Sequence, residues 1–503
     1  MDIKRNVAAN FLGKVWSGAL SFLFVPIYIR ILGIEAYGLI GFFASLMAVA
    51  IAFDLGLATT MNRELARLAV QSDSALRTRN FVRSLEIIYW TTGLILGVGI
   101  IALAPWLSHV WLNSHGLSVM ETTKVIMLMG VLVFLRWPAT LYSSGLMGLQ
   151  QQVLANSVAA AAATLQIVGA AVVIWVLTPT VRAFFVWQIV AALAQLILLP
   201  TYLWRLIPAS SHRPVFSGDS LRTVWKFAVG ISGITFCSVI LTQLDKVLLS
   251  RLLPLDQFGY YVFAGSIAGV LSLAAMAMYA ALFPAFSALR ASGQSAELAD
   301  LYHRGCQSLS ILVIPTAVMI VMFSQELLNF YIRDPKIVAN SYRLLSLFAT
   351  GNTLIALDVL PLALQLAHGW TRLSFYKNVV AVVAFVPLLL VMVRAYGSIG
   401  AAVTWIVLGL GYLLIEIPIM HRKLLPDDMW LWYTQDICAP LSISLLVMGL
   451  ARVFVRTDSS PKLILIVLLV ALLCATFLSI LAFPALRSRL IQWLSVSGVC
   501  GST

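Results

Sequence analysis

Apolar runs long enough to cross a bilayer follow one another from residue 8 to residue 483, separated by short polar breaks. Hydrocarbon offers no partner for backbone N–H and C=O groups, and a core about 30 Å thick takes roughly 20 residues of helix to cross. Each run therefore predicts a transmembrane helix. The predicted spans are 8–32, 36–58, 80–107, 122–149, 152–177, 181–206, 223–249, 257–284, 305–332, 338–366, 372–396, 398–421, 434–455 and 461–483. The fold class is an all-α polytopic membrane protein with about fourteen transmembrane helices.

Composition excludes the other classes. Charged residues make up 11% of the chain and the mean hydropathy is +0.96, whereas a soluble domain carries about 25% charge. The net charge of +13 is assigned to loops and to anionic membrane lipids, not to nucleic acid. No cleavage site follows a short apolar core, and Lys14 interrupts the first run, so that run reads as a retained helix and not a signal peptide. Cys237, Cys306, Cys438, Cys474 and Cys500 are scattered without CxxC spacing, and the six histidines show no ligand spacing. They predict core-like thiols, no metal site and no cofactor. No Walker A pattern is present, so ATP is not a direct driver.

The chain is doubled. Arg30-Ile-Leu-Gly-Ile-Glu-Ala-Tyr-Gly38 returns 221 positions later as Arg251-Leu-Leu-Pro-Leu-Asp-Gln-Phe-Gly259. At nearly the same offset Phe81 and Arg83 match Tyr302 and Arg304, and Asn156 matches Asn378. The order and spacing predict two pseudo-symmetric six-helix lobes, 1–206 and 223–423, joined by a turn-rich linker at 207–222. An extra helix pair at 424–483 and a tail at 484–503 have no counterpart. An even helix number puts both termini on one side. Lys and Arg concentrate at the N-terminus, in every second loop and in the tail, above all at 61–83 and 205–226, so both termini are predicted cytoplasmic. Residues 61–79 place Leu65, Leu68 and Ala69 on one stripe beside arginines, which predicts an amphipathic helix on the cytoplasmic membrane surface. Trp106, Trp111, Trp430 and Trp432 near span ends are expected to anchor in the interface.

Ionisable groups inside a span cost about 2.5–3.5 kcal/mol each on insertion scales, so they face a cavity or a partner. Lys14 and Asp54 come near the cytoplasmic ends of the first two helices and are placed to pair. Asp245 and Lys246 lie near the far end of the seventh, with Arg251 just beyond. The deepest charges are Arg136 and Asp358, which occupy the same position in the two halves. Symmetry predicts that both face the interface between lobes or that neither does. On the functional reading Arg136 grips an anionic group, while Asp358 takes a proton or pairs with Arg136 in one state. The other reading is a static buried pair, or contacts internal to each lobe.

The R-x-L-G-x-x-x-Y-G turn at 30–38 and the Q-L-D-K-x-x-L-S-R-L-L-x-x-x-x-F-G-Y-Y stretch at 243–261 resemble polysaccharide exporters of the multidrug/oligosaccharidyl-lipid/polysaccharide (MOP) superfamily, above all Wzx-type O-antigen flippases. The resemblance spans most of residues 1–483 and rests on short motifs. It implies two lobes that open alternately to the two sides of a bacterial inner membrane. It also implies a lipid-linked oligosaccharide as cargo, moved from the cytoplasmic to the periplasmic leaflet, with cavity cations meeting its undecaprenyl diphosphate. Arg30, Asp245, Lys246 and Arg251 lie on the matched motifs. The candidate substrate-binding cations are thus Arg136, Lys14, Arg30, Lys246 and Arg251. If transport is ion-coupled, Asp358, Asp245 and Asp54 are the candidate acids. A polysaccharide polymerase and a chain-length regulator stay open as further partners.

Three alternatives compete. A drug/cation antiporter of the same superfamily would concentrate acids in one cavity, and a lipid II flippase would share the helix count and a cationic cavity. A membrane glycosyltransferase or O-antigen ligase would need a large outer loop bearing acids or arginines. The outer loops here are short, and no catalytic residues are assigned.

Overall fold

The computed structural model describes residues 3–69, 71, 75–218, 236, 238–455 and 460–483. The expected tail, the last four residues of the linker (219–222) and the start of the seventh span lie outside the described residues. The first helices are α1 (Ile3–Leu32), α2 (Ile34–Ala52), α3 (Leu57–Leu68) and α4 (Ala75–Trp106), the last running into a π-helical turn, Leu107–Trp111. Next come α5 (Val119–Gly148), α6 (Gln152–Val176), α7 (Val181–Leu206), α8 (residues 238–252) and α9 (Leu255–Ala268). They are followed by α10 (Val270–Ala291), α11 (Ser295–Tyr331), α12 (Pro335–Ala367) and α13 (Thr371–Gly411). The chain ends with α14 (Ile417–Leu424), a turn α15 (Met429–Leu431), α16 (Ala439–Phe454) and α17 (Pro461–Ala482). Short π-helical turns, Tyr412–Glu416 and Trp432–Cys438, join α13 to α14 and α15 to α16.

Among the described residues, twelve continuous helical stretches are long and apolar enough to cross a membrane. One, Thr371–Leu424, has 54 residues, about 80 Å of helix at roughly 1.5 Å per residue, too long for one crossing. Gly397 breaks it with φ 58° and ψ −136°, a conformation that a side chain would oppose. The break falls between the spans predicted at 372–396 and 398–421. The remaining predicted span, 223–249, is described from residue 238 onward, as part of α8.

The chain forms two compact units, Met1–Val262 and Phe263–Thr503. In the first, α1 packs on α6, α4 and α7 both pack on α5, and α6 packs on α7. In the second, α12 packs on α10, α11 and α13, and the α16–α17 hairpin lies along α11. Small residues seat that hairpin: Ala451, Ala471 and Ala475 pack with Ile314, Val318 and Phe323.

The two copies of the duplicated motif meet each other. A Cβ added at Gly38 would lie 2.6 Å from the Leu255 carbonyl oxygen, and one at Gly259 would lie 2.3 Å from that of Ile34. The crossing of α2 and the start of α9 is thus a backbone-to-backbone contact that tolerates no side chain. Both copies also hold the loop after α4. Glu35 accepts from the backbone N–H groups of His115 (2.7 Å) and Gly116 (2.8 Å). Leu255 N–H donates to the Asn113 carbonyl at 2.8 Å, and Trp111 Nε1 donates to Ser250 Oγ at 3.0 Å.

Two local expectations change. The apolar face of α3 is covered by protein, not by lipid: Leu65 and Leu68 are buried, Met61 contacts Gly145, and α3 lies along α5. Trp432 is buried against His421 and Tyr433, where interface anchoring was expected, whereas Trp106 and Trp430 are exposed. The described part of the linker is strapped to α4. Val215 N–H donates to Asn80 Oδ1 at 2.9 Å, and Ser217 N–H donates to Ser84 Oγ at 2.8 Å.

The glycine crossing gives a direct test. Gly259→Ala should lower the melting temperature of the purified protein through a clash of about 1–3 kcal/mol. Gly449→Ala, where nothing lies within 4 Å, should leave it unchanged or slightly raised.

Candidate functional site

Two buried charge centres stand at equivalent places in the two halves, and they have opposite balance. Arg136 lies midway along α5, where Leu132, Val133 and Trp137 around it are buried. Its Nη2 donates to Gln166 Oε1 on α6 at 2.8 Å and to Gln188 Oε1 on α7 at 2.6 Å. The amides are themselves fixed. Gln188 Nε2 donates to the Gln166 carbonyl at 3.2 Å, and Gln166 Nε2 donates to Gln195 Oε1 at 3.3 Å. The guanidinium carbon sits 5.5 Å from the centroid of the Phe43 ring. Among the described residues no carboxylate pairs with Arg136. Its Nε is buried without a partner.

A cavity of about 460 Å³ opens beside it, lined by Arg136, Thr140, Ser143, Ser144, Gln166 and Gln195 together with methionines and alanines. Neutral amides orient a guanidinium but leave its charge uncompensated, and burying such a charge is expensive unless an anion completes it. Arginine stays ionised there and offers a planar, bidentate edge to a phosphate oxygen pair.

The second centre has the reverse sign. Lys377, six residues into α13, points its ammonium between two carboxylates: Asp358 Oδ2 of α12 at 2.9 Å and Glu416 Oε2 at 2.8 Å. All three side chains are less than a tenth exposed. Gln365 Nε2 donates to Glu416 Oε1 at 2.7 Å, and the Lys377 ammonium lies 4.5 Å from the centroid of the Tyr412 ring. Two carboxylates share one cation, which leaves one negative charge over. Asp358 Oδ1 is buried without a hydrogen-bond partner. Such a cluster is complete only with a proton or a further cation.

Arg136 and Asp358 are each engaged by side chains of their own unit. Each turns to the fifth and sixth helices of its own half, which is the lobe-internal alternative of the sequence reading. The other candidate residues are dispersed. Asp245 is fully buried and accepts from Tyr261 Oη at 2.6 Å, while Lys246 lies 3.6 Å from Asp245 Oδ1 and donates to the Thr242 carbonyl at 2.8 Å. Arg251 is exposed, with its guanidinium 5.1 Å from the centroid of the Trp111 ring, at the loop latch. Arg30 is exposed at the end of α1. Lys14 is exposed and does not pair with Asp54. Asp54 instead accepts from Tyr89 Oη and the Ala58 N–H.

Sequence reasoning missed the partners. Lys377 lies just inside the predicted span 372–396, where a flanking basic residue is ordinary, and Glu416 stands alone in Tyr412-Leu-Leu-Ile-Glu-Ile-Pro. A lone acid in an apolar run was the available signal. Gln188 and Gln195, seven residues apart on one helical face, were the equivalent signal in the first half.

A polytopic all-α membrane protein with one half-buried arginine centre and one buried acid-rich centre is the class that fold and site define. The chain belongs to the polysaccharide biosynthesis protein family, which it matches over residues 3–290. It is similar, at 20% identity over 417 residues, to a Shigella flexneri protein described as a candidate O-antigen transporter; the match covers 80% of this chain and 94% of that protein. Its fold is similar to that of the lipid II flippase MurJ in an inward closed conformation, with TM-score 0.69 and 14% identity over 94% of this chain and 97% of that one. It is also similar to an inward-facing multidrug resistance MATE family transporter of the MOP superfamily, with TM-score 0.62 and 13% identity over 82% and 95% of the two chains. The two structural likenesses are of fold.

The acid-rich centre predicts a pattern of substitutions. Lys377→Met strands two buried carboxylates and should destabilise the protein by about 3–5 kcal/mol. Adding Asp358→Asn and Glu416→Gln should restore most of the loss, as measured by thermal unfolding in detergent. A triple variant no more stable than Lys377→Met would show that the charges are not coupled.

Proposed function

We propose that the chain flips an undecaprenyl-diphosphate-linked oligosaccharide, an O-antigen or exopolysaccharide repeat unit, from the cytoplasmic to the periplasmic leaflet of a bacterial inner membrane by alternating access. The single observation that carries this reading is Arg136, a half-buried guanidinium with an enclosed, unpartnered Nε, held by amides beside a polar cavity and without a counter-charge among the described residues. A diphosphate supplies that charge, and the hydroxyls and amides around it suit a sugar. The family and the O-antigen-transporter relative support this cargo class. A drug/cation antiporter fits less well, because the first unit's cavity carries a cation and no acid. A lipid II flippase shares the chemistry of the diphosphate and differs in the glycan. The remaining parts of the reading are cytoplasmic termini, and a polymerase and chain-length regulator that take the cargo onward.

The acid-rich centre favours ion coupling. Its surplus carboxylate charge is the place for a proton or monovalent cation, with Asp358 as the acid that accepts it. Asp245 has Tyr261 and Lys246 at hand, and Asp54 has Tyr89, so both rank behind Asp358.

Arg136→Ala and Arg136→Lys should each reduce surface glycan by about tenfold or more at normal protein levels, because a charge-assisted bidentate contact is lost. Lipid-linked repeat units should accumulate on the cytoplasmic leaflet. Undiminished export in Arg136→Ala, or unpolymerised repeats on the outer leaflet, would contradict the reading. For coupling, an imposed proton or sodium gradient should speed transport by the wild type in proteoliposomes and leave Asp358→Asn indifferent. A variant that still responds would remove Asp358 from the coupling path.

A further inference from the structure

Three loops of the second unit converge on a basic cleft that the flippase reading does not use. Its volume is about 520 Å³, and its lining includes Arg290 at the end of α10, His368 and Trp370 between α12 and α13, and Lys423 at the end of α14. Ser295, the first residue of α11, opens on it as well. The lining contains no Asp or Glu among the described residues. All these residues stand at the ends of membrane-crossing stretches, which places the cleft at the boundary between hydrocarbon and water.

One reading of Arg290 and Lys423 is that each offsets the negative end of its own helix. That accounts for a cation at each terminus but not for their convergence. The Lys423 ammonium is held 4.0 Å from the centroid of the Trp370 ring, a contact that fixes its position without neutralising it. The start of α11 has no side-chain cap at Gln294, so backbone N–H groups of its first turn are left over at the same opening. Asp427 is exposed, and two other acids close in the chain have partners elsewhere. Glu297 accepts from Gln294 Nε2 at 3.1 Å, and Asp428 lies 3.5 Å from His303 Nε2. Two cations and the uncapped first turn of α11 around one cleft are a donor set for a tetrahedral oxyanion, while His368 lines the cleft with its Nδ1 already given to the Leu364 carbonyl.

We infer that this cleft binds a phosphate or diphosphate group at the membrane boundary, as a site separate from the Arg136 cavity. The same chemistry comes from two sources, an anionic lipid headgroup or a water-soluble phosphate compound. Hydrogen–deuterium exchange of the full-length protein separates the site from Arg136, because it reads each segment by itself. One arm adds inorganic pyrophosphate to protein in nanodiscs of phosphatidylcholine. The other replaces part of that lipid with phosphatidic acid. Protection of 288–298, 367–372 and 422–426 is expected in at least one arm: in the pyrophosphate arm alone for a soluble compound, or with phosphatidic acid for a headgroup. Arg290→Gln with Lys423→Gln should abolish that protection, and Arg290→Lys with Lys423→Arg should keep it, as should Arg136→Gln. No protection of these segments in either arm, or protection that survives the double glutamine variant, would overturn the inference.

Discussion

Hydrocarbon supplies neither hydrogen bonds nor counter-charge, so every ionised group within the spans must find its complement inside the protein or from something the protein carries. That constraint sorts the charges of this chain. Glu86 is paired with Arg83, and Asp245 has Tyr261 and Lys246. Among the described residues, two of the centres stay incomplete. Arg136 has amides where a carboxylate would neutralise it, and the Lys377 cluster has one carboxylate more than its cation can balance. A static scaffold gains nothing from either imbalance, whereas a transporter that binds an anion in one half and a cation in the other uses both.

The duplication explains why the two centres are comparable. Equivalent helices place Arg136 and Asp358 at one position and turn both to the fifth and sixth helices of their own halves. The scaffold is repeated, and the chemistry is inverted. The repeated motif itself has a mechanical role: Gly38 and Gly259 let two helices cross at backbone distance, and Glu35, Ser250 and Leu255 hold the loop after α4. Short glycine-containing stretches survive divergence at such crossings because almost no other residue fits.

Helix number and most span limits were legible because apolar length is a strong signal, and even the Gly397 break fell where two runs had been separated. The amphipathic α3 was legible as a helix but not in its partner, since an apolar stripe of Leu65 and Leu68 looks the same facing lipid or facing α5. Among the site residues, Arg136 and Asp358 could be found because a charge in an apolar run stands out. Lys377 was hidden because a cation near the start of a span looks like an ordinary flanking charge, and Gln166, Gln188 and Gln195 were hidden because neutral amides carry little weight in hydropathy. The mutual approach of α5, α6 and α7 that gathers those amides is a tertiary fact with no local signature.

The account rests on a diphosphate completing Arg136, and reconstitution tests that most directly. Purified protein in proteoliposomes would be given a fluorescent undecaprenyl-diphosphate oligosaccharide, and its transfer to the quencher-protected leaflet followed over time. The account predicts rapid transfer by the wild type, and transfer by Arg136→Gln close to that of protein-free vesicles. Transfer by Arg136→Gln at the wild-type rate, or none by the wild type, would contradict it.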